Sequence, residues 1–364
     1  MEETKKENSL VLIGVGGAGC AIADGIKKLN GGRQMKMLTL DTDSSSGFFN
    51  PESFMLLGSR QLAGRGAGGN INDARAAVRG TLGEIDGKLG GAKFAVVAAG
   101  LGGGTGGGVS LELVKHLRSL GITSLLFGTM PFSFEGEDRC KCAESARALL
   151  ENEADSSIFI HLDKVSPSSD STFGDAMHEA LAVLSGGISL FWKLLGSPGY
   201  ISVGEERVRR IVAEGGHGYI VAAEESGENR ALRICTAIER SEASSKLQNA
   251  ENVICGVLGG DDMRVKELDA IYASCCRTFG PDAGFAIGTV CGDFAKEGAL
   301  GAIVLAFPGR KTVKRASVPK SRHSAGAAGL WKGGGKFNNT ESTVWNGENL
   351  DEPTYLRKGI TLER

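Results

Sequence analysis

The stretch Ala99-Gly100-Leu101-Gly102-Gly103-Gly104-Thr105-Gly106-Gly107-Gly108 closes the apolar run 94–99 and leads into a helix-like stretch, 109–120. Glycines in such a place permit positive φ and let consecutive N–H groups point at one anion. The helix behind them adds a partial positive charge at its start. A second loop, Gly14-Val15-Gly16-Gly17-Ala18-Gly19, lies between the apolar run 10–15 and a helix over 21–29. It fits GxGxxG, and Asp41 stands 22 residues beyond Gly19 at the end of the next strand, 35–40. That is the dinucleotide-binding fingerprint with its ribose acid. A third run, Gly64-Arg65-Gly66-Ala67-Gly68-Gly69-Asn70, precedes another helix. Three such loops can surround a di- or triphosphate, whereas the pyrophosphate bridge of NAD needs only one.

Outward from these loops, strand-like and helix-like segments alternate over 9–165, with further strands at 124–127 and 158–160. Repeated β-α units imply a parallel sheet with helices on both faces. Residues 173–195 read as one long, mostly apolar helix. A second block has strand-like runs at 218–223, 252–258, 284–290 and 302–307, with helices at 229–241 and 263–279. It reads as a smaller α+β domain. The expected organisation is a nucleotide-binding domain over 1–172, a central helix over 173–196 and an α+β domain over 197–309. A disordered basic linker over 310–347 and a partner-binding peptide over 348–364 follow.

The composition agrees with a globular core. Of 364 residues 41% are apolar and 23% charged, close to the soluble average. Glycine reaches 55 residues without a Gly-X-Y period, which excludes collagen. The net charge of −2 excludes a generally basic nucleic-acid binder. Residues 310–346 depart from the rest, with eight basic residues and one acidic. That segment is too poor in aliphatics to build a core. The charged start, MEETKKENSL, does not read as a signal peptide, and no uninterrupted apolar stretch reaches the ~18 residues of a membrane span. Eight cysteines without a CxxC pair and five scattered histidines give no metal-ligand spacing. They read as buried, reduced thiols of a cytosolic protein.

Gly102–108 is close to the tubulin signature GGGTG(S/T)G. With Pro131-Phe132-Ser133-Phe134-Glu135-Gly136 and Arg139 it resembles the bacterial cell-division family FtsZ. The resemblance runs from about residue 9 to 307. It resumes at Leu350-Asp351-Glu352-Pro353-Thr354-Tyr355-Leu356-Arg357-Lys358, which is similar to the family's C-terminal docking peptide. It implies a tubulin/FtsZ-like α/β fold: a Rossmann-like GTPase domain with a parallel sheet, a central helix and a second α+β domain. It further implies GTP or GDP with Mg2+ held between successive subunits of head-to-tail filaments. Membrane-tethering division proteins would dock at Asp351, Pro353, Tyr355, Leu356 and Arg357, placing the protein in the cytoplasm at the division site, on the inner face of the membrane. In that family one subunit supplies the phosphate loops, and the next supplies acidic residues that position the attacking water.

By that resemblance the phosphate side is largely kept: Gly16, Gly17, Ala18 and Gly19; Ala67, Gly68, Gly69 and Asn70; Gly103, Gly104, Thr105 and Gly106, although Gly107 stands at the family's Ser/Thr; and Glu135 with Arg139 at the ribose and phosphate contacts. The family's Asn-Thr-Asp loop reads Asp41-Thr42-Asp43. The base side is not kept. Cys20 and Ala21 stand where the family has two Asn or Gly-Asn, Leu162 stands for another Asn, and Met177 stands for an aromatic. Leu181 and Ala182 take the places of Asn and Asp on the central helix. Each hydrogen-bond partner lost to a buried base costs about 1–3 kcal/mol, so guanine selection is expected to be lost. The catalytic loop reads Ser202-Val203-Gly204-Glu205-Glu206-Arg207-Val208, with Gly204 and Arg207 at the two catalytic aspartates. Glycine cannot orient water, and a guanidinium cannot accept a proton. Glu205 and Glu206 are the available substitutes.

Three readings follow. The first is a filament-forming relative with weak or absent GTP hydrolysis, which carries either a guanine nucleotide or none. The second is an ordinary GTP-hydrolysing member of the division ring. The third is an NAD-dependent enzyme, which lacks a hydride-transfer constellation and leaves Gly102–108 unexplained. The basic linker reads as a solvated spacer or as a contact for anionic lipid or DNA, with Trp331 and Trp345 favouring some docking.

Overall fold

The computed structural model describes residues 9–30, 35–46, 52–165, 172–196, 200–291, 298–309, 344–345 and 348–349. The expected linker, apart from Val344–Trp345, and the C-terminal docking residues Asp351, Pro353, Tyr355, Leu356 and Arg357 lie outside the described residues.

The N-terminal half runs β1 (Leu10–Val15), α1 (Gly16–Leu29), β2 (Met37–Asp41), β3 (Phe54–Leu56), α2 (Ser59–Leu62), α3 (Ile71–Arg79) and α4 (Leu82–Leu89). It continues with β4 (Phe94–Gly100), α5 (Gly104–Ser119), β5 (Thr123–Met130), α6 (Glu137–Glu153), β6 (Ser156–His161), α7 (Leu162–Val165) and the long helix α8 (Phe173–Gly196). Then come α9 (Glu205–Gly215), β7 (Gly216–Ser226), α10 (Arg230–Glu239), α11 (Glu242–Lys246), β8 (Asn252–Gly259), α12 (Val265–Phe279), β9 (Gly284–Cys291) and β10 (Ala299–Phe307). A short antiparallel pair, β11 (Val344–Trp345) with β12 (Glu348–Asn349), lies in a second unit of the chain.

Ten strands form one sheet in the order β3-β2-β1-β4-β5-β6-β7-β10-β8-β9. From β3 to β7 all neighbours are parallel, as βαβ crossovers require, and β4 and β5 are buried on both faces. Only three residue pairs, Ser156–Gly216 to Ile158–Gly218, join β6 to β7. Beyond that seam β10 pairs antiparallel with both β7 and β8, and β8 pairs parallel with β9. The two blocks read from the sequence therefore share a continuous sheet.

Helix α8 packs against α1 on one side and against β7, β8, β9 and β10 on the other. Asn30 Nδ2 donates to Ser189 Oγ at 3.0 Å, and Ser185 Oγ donates to the Ile22 carbonyl at 3.3 Å. Phe191 and Ile188 fill the same core as Ile22, Phe94 and Phe307. Gly174–Gly196 is long and apolar enough to match a membrane span, although Asp175, Glu179 and Lys193 break its apolar run. Its apolar face is spent on the core of the fold, with 61% of the most apolar window buried.

Two glycines set how near the helices come to the strands. A Cβ on Gly19 would lie 2.2 Å from the Ala98 carbonyl oxygen, and one on Gly106 would lie 1.8 Å from that of Gly100. Both obstacles are backbone, which cannot rotate aside. Gly19→Ala is expected to lower the unfolding free energy by about 1–3 kcal/mol, the range for overpacking a close contact. Gly17→Ala, with nothing within 4 Å of the new methyl, should stay within about 0.5 kcal/mol of the parent. Urea unfolding of the two variants beside the parent measures both.

Candidate functional site

β1 is flanked by β2 on one side and β4 on the other, so the crossovers leave in opposite directions from the adjacent strands β1 and β4. In open α/β sheets the crevice at the carboxyl ends of such strands is where ligands bind. A cleft of about 470 Å3 opens there.

Helices α1 and α5 both begin at this crevice. Neither has a side-chain cap on its first turn, and neither has an acidic residue there. Their first N–H groups and the positive ends of their dipoles are thus left to an external anion. Gly16, Gly17 and Ala18 line the cleft from α1, and Gly103, Gly104, Thr105 and Gly106 line it from α5. The 64–70 loop adds Arg65, Gly66, Ala67, Gly68 and Gly69. Asn70 does not line the cleft: its Oδ1 accepts from the Asn72 and Asp73 N–H groups and caps α3. Two helix starts are therefore open to a ligand and the third is closed by its own chain.

The β2 end forms the floor. Asp41 is buried, and its Oδ1 accepts from the backbone N–H groups of Thr42 at 2.7 Å and Asp43 at 3.2 Å. Thr42 Oγ1 lies 2.6 Å from Thr105 Oγ1, which ties this loop to the start of α5. Burial pushes the Asp41 carboxyl above the usual carboxylate range. Asp43 is held below that range by the hydroxyl and N–H of Ser45.

Gly19, Cys20 and Ala21 do not line the cleft. Gly19 rests on β4, and Cys20 is fully buried with its thiol near the carbonyls of Gly14 (3.7 Å) and Leu40 (3.8 Å). Burial, and then the Asp41 charge, push that thiol up to about 12, so it stays a neutral core group. Ala21 is likewise buried. The wall away from the glycines is made by Leu162, Met177 and Leu181, while Ala182 points to solvent outside the cleft. At the mouth, Glu135 pairs with Arg139 and accepts from the Phe132 N–H at 2.9 Å. Thr129, which no motif marked, and Pro131, which opens the 131–136 motif, also line the cleft. The place of Thr129 at the carboxyl end of β5, next to β4 in the sheet, is the signal that would have found it.

The loop at 202–207 lies at the start of α9, where Gly204 adopts φ 73°. Its charged residues are engaged within the chain. Glu205 Oε2 accepts from Ser9 Oγ at 2.9 Å. Glu206 takes two N–H donors of Arg209, at 2.7 and 3.0 Å, which hold its carboxyl below the usual range. Arg207 Nη2 donates to the Phe285 carbonyl at 2.6 Å, and Ile201 exchanges hydrogen bonds with Thr289 on the same strand, β9. Among the described residues no group of three or more His, Cys, Asp or Glu side chains is arranged to hold a metal ion.

Residues 9–169 match the profile of the Tubulin/FtsZ family, GTPase domain. The cell division protein FtsZ of Magnetospirillum gryphiswaldense is 30% identical over 268 residues, which are 71% of this chain and 47% of that protein. The chain thus spans about half the length of that relative. Cell division protein FtsZ 2 of Rhizobium meliloti is 30% identical over 273 residues, covering 73% of this chain and 78% of its own. Among solved structures, an empty FtsZ dimer from M. jannaschii superposes with a TM-score of 0.73 at 22% identity, over 82% of this chain and 88% of that one. A GTPγS-bound protofilament of CetZ2 from Haloferax volcanii gives 0.68 at 19% identity, over 84% and 94%. At these identities the two structures speak for the fold.

Proposed function

From the premise that this chain belongs to the tubulin/FtsZ family, we propose that it is a filament-forming cytoskeletal protein of cell division that binds a nucleoside polyphosphate without selecting guanine and hydrolyses it weakly or not at all. The observation that carries the reading is the convergence of two uncapped helix starts and the 64–70 loop on one cleft that also presents the apolar side chains Leu162, Met177 and Leu181. The first part suits a phosphate chain of two or three groups, since each open N–H group can donate to a phosphate oxygen. The second part offers a base an apolar face and no amide or carboxylate for its edge.

A bound nucleotide would bring Mg2+ on its own phosphate oxygens. The chain's part is to hold the phosphates on Gly16–Ala18, Ala67–Gly69 and Gly103–Gly106, with Glu135 and Arg139 toward the ribose. Weak hydrolysis is supported by the 202–207 loop. Gly204 has no side chain, Arg207 is tied to β9, and Glu205 and Glu206 are each occupied by a partner. Ser9 and Arg209 draw these carboxylates onto their own chain and make them weaker bases toward water on a neighbouring subunit's nucleotide. Self-association is proposed by analogy with the FtsZ dimer and the CetZ protofilament. Recruitment to the cytoplasmic face of the membrane at the division site is assigned to a tethering protein that docks on Asp351, Pro353, Tyr355, Leu356 and Arg357.

Calorimetric titration with GTP and ATP tests the base wall: affinities within about tenfold of one another are expected, and strong GTP selectivity overturns that part. Phosphate release tests the loop. Loss of a positioned acid or base costs about 10²–10⁴ in rate, so Gly204→Asp combined with Arg207→Asp should raise turnover while Glu205→Gln with Glu206→Gln changes little. Rapid wild-type turnover that collapses in the double Gln variant would make the protein a working GTPase with shifted acids. Deletion of 349–364 should leave assembly intact and abolish recruitment in cells; normal localisation of the truncated chain excludes the tail as the tether.

A further inference from the structure

The charged side chains that line the cleft are Asp41, Asp43, Glu135, Arg65 and Arg139. Asp41 differs from the others in being 3% exposed. One of its oxygens is spent on the Thr42 and Asp43 N–H groups. The titratable groups that face it are Asp43 from its own loop and the neutral Cys20 thiol from α1. From α5 comes Thr105, through the Thr42 hydroxyl, and from the 64–70 loop comes Arg65, whose backbone bridges to that of Asp43. Burial disfavours the carboxyl as an anion, which the Thr42 and Asp43 N–H groups offset only in part. It also stands beside the start of α5: the Oγ1 of Thr42, the next residue, lies 2.6 Å from Thr105 Oγ1.

We propose that Asp41 determines which charge state of a phosphate ligand the cradle accepts, because a polyphosphate enters only together with a proton on the Asp41 carboxyl. This rests on the phosphate-binding reading of the cleft. A phosphate chain brings several negative charges to a site that holds a poorly solvated carboxyl. Like-charge repulsion in a low-dielectric pocket favours the neutral acid. By linkage, a ligand that binds only the protonated form loses affinity as pH rises past the free carboxyl's titration, by up to about tenfold per pH unit. Asn at this position keeps the acceptor for the Thr42 and Asp43 N–H groups and removes the charge, so Asp41→Asn isolates the proton from the loop's geometry.

The test is titration of the full chain and of Asp41→Asn with GDP from pH 5 to pH 9, with and without Mg2+, in paired buffers of different ionisation enthalpy. The ligand's own ionisation is common to both proteins and cancels in the ratio of their affinities. The wild type should weaken relative to Asp41→Asn as pH rises through the carboxyl's titration. Net uptake of close to one proton should accompany binding to the wild type, and that extra proton should be missing in Asp41→Asn. An affinity ratio independent of pH overturns the proposal, as does a ratio that Mg2+ alone sets, since a cation then replaces the proton. If neither protein binds GDP at any pH, the phosphate-binding reading fails and the proposal with it. Folding gives a separate check with a known sign. A carboxyl raised in the fold contributes stability that is full at low pH and is lost as pH rises through its folded titration. Asp41→Asn should therefore match the wild type in acid and exceed it in unfolding midpoint above neutrality; a variant less stable at every pH is misfolded, and Asp41→Ser, which keeps a hydroxyl acceptor without the charge, must then reproduce the loss of the pH slope or the proposal falls.

Discussion

The first turns of α1 and α5 are left without side-chain caps, and much of the N-terminal half is arranged so that they can be. A helix start of this kind is stable in a fold only where its N–H groups meet a partner or water. Bringing two of them to one point requires each helix to leave its strand almost at contact. Gly19 against Ala98 and Gly106 against Gly100 supply that approach, and the doubly buried strands β1 and β4 hold the two starts side by side. The cleft is the geometric result of these contacts. Thr42, reaching Thr105 from the end of β2, then ties the third strand of the group to the same point.

Much of this was legible along the chain, because the features concerned are local. Apolar runs of five to eight residues marked β1, β4, β8 and β10, and glycine clusters marked the loops that line the cleft. Other elements left weaker traces. Helix α6 buries only Ala143, Ala146 and Leu150 of its 17 residues, too sparse a stripe to stand out from a charged loop. Helix α9 did carry a usable pattern, since Val208, Ile211, Val212 and Gly215 recur at the spacing of one helix face. The sharing of one sheet by the two blocks rests on three residue pairs between β6 and β7, separated by about 60 positions, which no local pattern encodes.

The site divides in the same way. The glycines could be assigned from spacing, whereas the direction of each flanking side chain could not. Asn70 turns back to cap its own helix, Cys20 and Ala21 face the core, and Ala182 faces solvent. Leu162, Met177 and Leu181, which a substitution-by-substitution reading treats as losses, together form a continuous wall. The occupation of Glu205 by Ser9 spans 196 positions and emerges only once β1 and α9 are folded beside each other. What Glu205 and Glu206 already hold within the chain is thus part of what their positions in sequence do not reveal.

The order of the strands also governs when this protein can become itself during synthesis. β10 is made last of the ten, yet it lies between β7 and β8, so β8 and β9 join the sheet only when residues 299–307 leave the ribosome. Helix α8 by then has long been complete, with one face on α1 and the other awaiting strands not yet in place. For more than a hundred residues of translation the chain carries an apolar helix of membrane-spanning length with half its covering absent. Until β10 closes the sheet, the face of α8 that meets β7 to β10 lacks its cover, the kind of transiently exposed apolar surface that chaperones shield during synthesis.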